Sequence, residues 1–228
     1  HIVTADTNIG NVAAGTNPTA IAVSPVTNKT YIANVTSNDL TVINGTNNST
    51  TTVPVGTSPM AVAVNPTTNR IYVANFVTND VTVVDGASDT VVTSVSMAGN
   101  TLPIALAVNS VTNRIYVANS GSSNVTVIDG ATNTVLATVV STSQPRTVAV
   151  NPVTNKIYVG NSGTGTITVI NGTNNATTTI AGGTNIRAIS VNPVTNTIYA
   201  ADINGASVIV INGATDTVTT TVTVGSQP

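Results

Sequence analysis

One histidine, His1, and eight aspartates are all that this 228-residue chain offers for acid–base chemistry or hard-metal binding. Glutamate and cysteine are missing. General acid–base catalysis usually needs a positioned His or a carboxylate pair within hydrogen-bond reach of the substrate. His1 stands at a terminus, so a catalytic dyad or a histidine metal cluster has no material to be built from. A paired-carboxylate site would need two Asp residues. Asp39 and Asp80 fall at corresponding loop positions and could ring one face to hold a cation, although an Asn-Asp pair more commonly shapes a turn. Asp85 and Asp129 each precede a glycine, which is again a turn pattern. The expectation is no catalytic residue, no metal and no cofactor.

The cations say as little. Lys29, Arg70, Arg114 and Lys156 recur after an asparagine and draw a weak basic arc, interrupted by Thr197. Such an arc is usually a solvated rim. Net charge is −2, so no electrostatic case exists for nucleic acid or an anionic membrane. Only 6% of residues are charged, against about 25% in ordinary proteins. Without cysteine there are no disulfides or thiolate metal sites. No apolar run approaches the roughly 20 residues of a membrane helix. A first residue of His rather than Met suggests an N-terminus that is either processed or only partly represented.

The more informative chemistry is covalent modification. Asn-X-Ser/Thr, the acceptor pattern for N-linked glycans, occurs at Asn34, Asn44, Asn47, Asn48, Asn124, Asn171 and Asn175. Threonine-rich chains produce the pattern by chance. Here, however, Asn44, Asn47, Asn48, Asn171 and Asn175 cluster in two corresponding hairpins.

What positions these residues is a repeat. Tyrosines stand at 31, 72, 116, 158 and 199, in steps of 41, 44, 42 and 41 residues. An [IV]-[DN]-G turn follows each, ending in Gly45, Gly86, Gly130, Gly172 and Gly213. In the second copy the spacing predicts strands at Ala61–Asn65, Arg70–Asn75, Val81–Asp85 and Thr90–Met97. Pro66 and Asn69 make the first turn and Asp85-Gly86 the last. Four strands per 40–45 residues is the period of β-propeller blades. The first strand of each copy is the smallest ("AVAVN", "ALAVN"), which suits the crowded axis. The second and third are apolar on both faces, as strands between neighbouring blades should be. The fourth is threonine-rich, which suits an outer edge. The expected fold is all-β: a propeller of about five four-stranded blades, alone or as part of a larger ring. The blades are expected at about 17–56, 59–99, 103–141, 145–182 and 186–225, with an extra N-terminal strand in 1–15. That segment reads as a remnant of a third and fourth strand. It could close the ring locally, be donated to a neighbouring subunit, or belong to a longer protein.

The pattern "NPVTNKIYV.N…TVIDGATNTV" resembles the YVTN β-propeller repeat family, over about residues 16–228. This chain reads Tyr-Val-Ala-Asn where the family name spells Tyr-Val-Thr-Asn, and it has no Trp to support a WD40 reading. The resemblance implies a secreted, archaeal surface-layer-like protein, in propellers that more often have seven blades. It brings no catalytic residues.

A β-rich chain with 6% charge and a mean hydropathy of +0.30 has few charges to guard its strand edges. Glycans or ordered assembly should cover it. The expected function is therefore that of a non-enzymatic extracellular structural protein: a glycosylated subunit of a cell-surface layer, sheath or fibre, self-assembling with identical subunits. The alternative is a secreted adhesion propeller that recognises carbohydrate or protein through its loop face. An enzyme of the lactonase type is the weakest reading, because acidic ligands at a central channel are lacking.

Overall fold

The computed structural model describes residues 10–99 and 101–228. Twenty strands and no helix occur among them, arranged as five four-stranded antiparallel sheets in chain order. Blade 1 contains β1 (Pro18–Ser24), β2 (Lys29–Asn34), β3 (Asp39–Asn44) and β4 (Thr50–Pro54). Blade 2 contains β5 (Pro59–Asn65), β6 (Arg70–Asn75), β7 (Asp80–Asp85) and β8 (Thr90–Ser96). Blade 3 contains β9 (Pro103–Asn109), β10 (Arg114–Asn119), β11 (Asn124–Asp129) and β12 (Thr134–Val140). Blade 4 contains β13 (Pro145–Asn151), β14 (Lys156–Asn161), β15 (Ile167–Asn171) and β16 (Thr177–Ile180). Blade 5 contains β17 (Ile186–Asn192), β18 (Thr197–Asp202), β19 (Ser207–Asn212) and β20 (Thr217–Thr223).

This is the β-propeller that the repeat predicts, with the expected strands displaced by at most two residues. First strands touch in sequence, β1 to β5, β5 to β9, β9 to β13 and β13 to β17, so they form the inner wall. Among the described residues β17 makes no comparable contact with β1. The five blades are therefore an open fan. Residues 10–15 carry no strand, and the peptide N–H groups of Gly15 and Thr16 donate to Thr41 Oγ1 and Ser37 Oγ in blade 1. The strand expected in 1–15 falls largely on residues 1–9, outside the described residues.

Each blade is two-faced because strand side chains alternate. One face carries Tyr72, Ala74, Val81 and Val83, and packs on Leu106, Ile115, Val117 and Ile128 of blade 3. The same arrangement joins blades 1 and 2, 3 and 4, and 4 and 5. We call the tyrosine face trailing and the aliphatic face leading. Apolar burial between blades, not within a central core, therefore holds the molecule together.

The asparagine before each tyrosine strand is explained by the turn. Asn28, Asn69, Asn113, Asn155 and Asn196 all take φ between 51° and 53°, a left-handed conformation that Asn tolerates better than most residues. Each then receives, on its carbonyl, the N–H of the repeated glycine at 2.8–2.9 Å. The glycine is required by this close approach and not by its own backbone angles. A Cβ at Gly130 would overlap Asn113 Oδ1 and sit 2.9 Å from the Asn113 carbonyl oxygen. Gly130→Ala should therefore lose about 1–3 kcal/mol of stability, the usual cost of overpacking. Urea denaturation measures this; an unchanged midpoint would show that the contact is not needed.

Candidate functional site

Building outward from the repeat, the polar residues that recur are spent on the fold. The asparagine that ends the second strand is fully buried in blades 1–4, at 34, 75, 119 and 161. Asn75 Nδ2 donates to Asp80 Oδ1 at 2.9 Å and to Thr82 Oγ1 at 2.8 Å. Asn34 does the same to Asp39 and Thr41, and Asn119 to Asn124 and Thr126. All of these bonds lie within a single blade. They also decide the role of Asp39 and Asp80, which brace the turn between second and third strands. No group of three or more potential metal ligands occurs among the described residues.

Asp85 and Asp129 have the turn role. Asp85 Oδ1 accepts from the N–H groups of Ala87 and Ser88, and Asp129 Oδ1 from those of Ala131 and Thr132. The Asp85 carboxyl is lowered to about 2, chiefly by the Ser88 and Ala87 N–H groups and then, against a burial cost, by Arg70. Asp202 stands where the other blades have Asn, and only 3% of it is exposed. It accepts from the N–H of Thr184, the Thr184 hydroxyl and the N–H of Asn185. Burial opposes its charge, but these donors outweigh that and hold the carboxyl below its ordinary range.

The basic arc is not free either. Lys29 crosses to blade 2, reaching Asp89 Oδ2 at 2.7 Å and the Gly86 carbonyl at 3.1 Å. Lys156 crosses to blade 5 in the same way, to Asp216 Oδ2 at 2.8 Å and the Gly213 carbonyl at 2.9 Å. Arg114 reaches the Gly172 carbonyl of blade 4, and Arg70 pairs with Asp85 of its own blade. The sequence shows the arc; it does not show that Lys29, Arg114 and Lys156 clamp one blade to the next.

A second cross-blade device also escapes sequence inspection. Asn65 Nδ2 donates to Asn113 Oδ1 at 2.7 Å, Asn109 to Asn155 at 2.9 Å and Asn151 to Asn196 at 2.7 Å. The asparagine that ends each first strand is thereby stitched to the turn asparagine of the next blade. In blade 1 the position is Ser24, and Asn69 Oδ1 is left buried without a hydrogen-bond partner among the described residues. Arg146 and Arg187, second residues of β13 and β17 respectively, are exposed, and neither has a carboxylate partner among the described residues. Burial and then the neighbouring Arg187 charge lower the Arg146 guanidinium below its ordinary value.

The glycan candidates divide by exposure. Asn47, Asn48 and Asn171 are exposed in the β3–β4 and β15–β16 hairpins, and Asn44 and Asn175 are half-buried there. Asn124 is half-buried and its Oδ1 accepts from Asn119. Asn34 is fully buried and its amide nitrogen already donates twice, so the folded chain cannot present it. Asn28, exposed and followed by Lys29-Thr30, adds an eighth acceptor pattern to the seven named above. A cleft of 220 Å³ lies between the outer strands of blades 2 and 3, lined by Ser96, Met97, Thr101, Asn124, Thr126 and neighbours; no titratable group lines it.

No family model and no curated protein matches the sequence. Solved structures do match the fold. Hydrazine synthase of Kuenenia stuttgartiensis superposes with a TM-score of 0.75 at 20% identity, over 91% of this chain and 66% of that one. Virginiamycin B lyase from Staphylococcus aureus superposes with a TM-score of 0.81 at 14% identity, over 92% of this chain and 71% of that one. The chain thus spans about two thirds of the length of these structures. At such identities the likeness establishes a β-propeller and nothing of its chemistry.

Proposed function

We propose that the protein is a non-enzymatic extracellular structural subunit, glycosylated on its exposed hairpins, of a cell-surface layer, sheath or fibre. The reading rests in part on the resemblance of its repeat to that of the YVTN propellers. The observation that carries this reading is the fate of the polar residues. The recurring carboxylates, amides and most cations hold turns or join blades, and the cleft between blades 2 and 3 is lined by no titratable group. The outer strands β4, β12, β16 and β20 present mostly Thr and Val to solvent. A surface with so little charge needs glycans or neighbours to keep it from uncontrolled edge pairing.

Two measurements test this. Electron microscopy of the native material should show sheets or filaments; discrete single particles would count against it. Mass spectrometry of the native protein should find more than the bare 22.8 kDa chain. Occupancy is expected at Asn47, Asn48 or Asn171 and not at Asn34, and a bare mass would end the glycoprotein reading.

The second reading, an adhesion module, is favoured by one observation. Arg146 and Arg187 hold like charges near one another on the inner strands, with no carboxylate neutralising them among the described residues. An acidic carbohydrate or peptide is the ligand such a pair would take. Binding of an acidic glycan by monomeric protein, lost in Arg146→Ala, would favour it.

A further inference from the structure

Resting on the glycoprotein reading, we propose that an N-linked glycan on Asn171 guards the outer edge of β16. It does for blade 4 what a backbone bulge does for blades 2, 3 and 5. The edge of an outer strand presents a row of unpaired N–H and C=O groups to any passing strand. Among the described residues β16 pairs only with β15, and no strand lies on its far side. It contains neither a charge nor a proline, and Thr177, Thr178 and Thr179 are all exposed. Threonine and isoleucine favour strands, so the segment is well suited to pairing and poorly defended by its own residues.

The five outer strands divide into two kinds. β8, β12 and β20 each pair with the third strand through a register shift, which leaves Val92, Leu136 and Thr219 as the extra residue. Such a bulge bends an edge strand and twists it away from a partner. β4 and β16 pair with β3 and β15 residue for residue and carry no bulge. The acceptor pattern follows the same division. The hairpin before β4 opens with Asn44-Gly45-Thr46, and the hairpin before β16 with Asn171-Gly172-Thr173. Before the bulged strands the same positions read Asp85-Gly86-Ala87, Asp129-Gly130-Ala131 and Asn212-Gly213-Ala214, and none of these is an acceptor. Among these hairpins the sequon is present where the bulge is missing. Blade 1 also has residues 10–13 beside Asn48 and Thr50. In blade 4, inside the chain, the glycan would stand alone.

Asn171 suits the modification. The turn needs only its Oδ1, which accepts the Thr173 N–H at 2.9 Å, as Asp85 and Asp129 accept in their turns. An aspartate would serve that role as well. The asparagine adds Nδ2, on an exposed residue and without a hydrogen-bond partner among the described residues. Its backbone N–H bonds the Ala176 carbonyl at 2.8 Å, so a sugar on it starts beside the first residue of β16. Asn175, the neighbouring acceptor, is unsuited. It is half-buried, its Oδ1 is buried, and it stands at the hairpin position where Asp89 and Asp216 meet the preceding blade. In the transfer, Nδ2 bonds the anomeric carbon of a diphosphate-activated oligosaccharide. The bond from that carbon to the diphosphate oxygen breaks, the diphosphate leaves with the electron pair, and one Nδ2 proton passes to solvent.

Peptide mapping of the native protein, with sedimentation and thioflavin T binding of Thr173→Ala made in a host that glycosylates the unaltered chain, tests this. Alanine already stands at that position in blades 2, 3 and 5, so the circular dichroism spectrum should not change. Sugar is expected on Asn171. Thr173→Ala should lose it and pass from the native sedimenting species into large oligomers that bind thioflavin T. Adding Thr178→Lys, a charge on the bare edge, should reverse this. Sugar on other asparagines with Asn171 bare would overturn the guard and leave the glycoprotein reading intact. So would a Thr173→Ala chain that has lost the sugar and associates no more than the unaltered one. Association that Thr178→Lys fails to reverse would put the pairing elsewhere than β16 and overturn the guard too. A bare mass at every acceptor would end both readings.

Discussion

Tyr72→Ala should cost about 3–5 kcal/mol of stability, the range for truncating a large buried aromatic, whereas Tyr72→Phe should change it by less than about 1 kcal/mol. The contrast follows from where the side chain sits. Tyr72 is wholly buried between blades 2 and 3, against Leu106, Ile115 and Val117. Its ring fills the interface, but its hydroxyl has no hydrogen-bond partner among the described residues. Removing the ring leaves a cavity between two sheets that cannot easily close. Removing the hydroxyl takes away a buried polar atom that gains little. Tyr158 differs, since its hydroxyl donates to Asp216 Oδ1 at 3.1 Å. Tyr158→Phe should therefore cost about 1 kcal/mol, the usual net worth of one hydrogen bond. Urea denaturation of the three variants checks the order; a Tyr72→Phe loss as large as that of Tyr72→Ala would show that the hydroxyl, not the ring, matters.

The protein should also lose its fold abruptly in alkali, above about pH 10. Burial pushes up the phenols of Tyr31, Tyr72, Tyr116 and Tyr158. That of Tyr72 rises to about 12, first from burial and then from Asp129, with Arg70 opposing. In the unfolded chain these phenols ionise near their ordinary value of about 10. The folded state keeps its protons longer, so its advantage is complete below pH 10 and is lost as pH climbs toward 12. For Tyr72 alone the loss is on the order of 2–3 kcal/mol, comparable with a sizeable share of the total stability of a domain. Tyrosinate absorbance and far-ultraviolet circular dichroism should change together in one cooperative step. A gradual ionisation of all five tyrosines with the β-sheet signal intact would contradict the burial.

Much of this architecture is legible in the sequence because the same solution is written five times. A single "RIYVAN" is ambiguous, but five in register with a glycine turn define strand number, strand order and blade boundaries. The buried Asn34, Asn75 and Asn119 are legible for the same reason, since their Thr partners recur seven residues on. What sequence does not show is contact between copies. Nothing in the spacing says that Lys29 reaches Asp89, 60 residues away, or that Asn65 bonds Asn113. Cross-blade geometry depends on the tilt of sheets that only the fold supplies. The reason for the repeated glycine was also hidden, since a turn role and a contact role look alike in sequence. Exposure was legible only by hairpin: Asn171 emerged as expected, while Asn34 disappeared into its blade.

Among the described residues, the extensive contacts of each blade are with the blades beside it. This has a consequence for how such a chain can change over generations. A gene duplication that copies one whole period inserts a sheet bearing both a tyrosine face and an aliphatic face. Each old junction except one survives, and the broken one is replaced by two of the same kind. A duplication of half a period would instead pair unlike faces and strand a tyrosine against solvent. Blade number is thus free to drift in whole units while the repeat length is held nearly fixed, and the slight spread of 41 to 44 residues between tyrosines falls between the turn glycine and the next first strand, a stretch that includes the fourth strand.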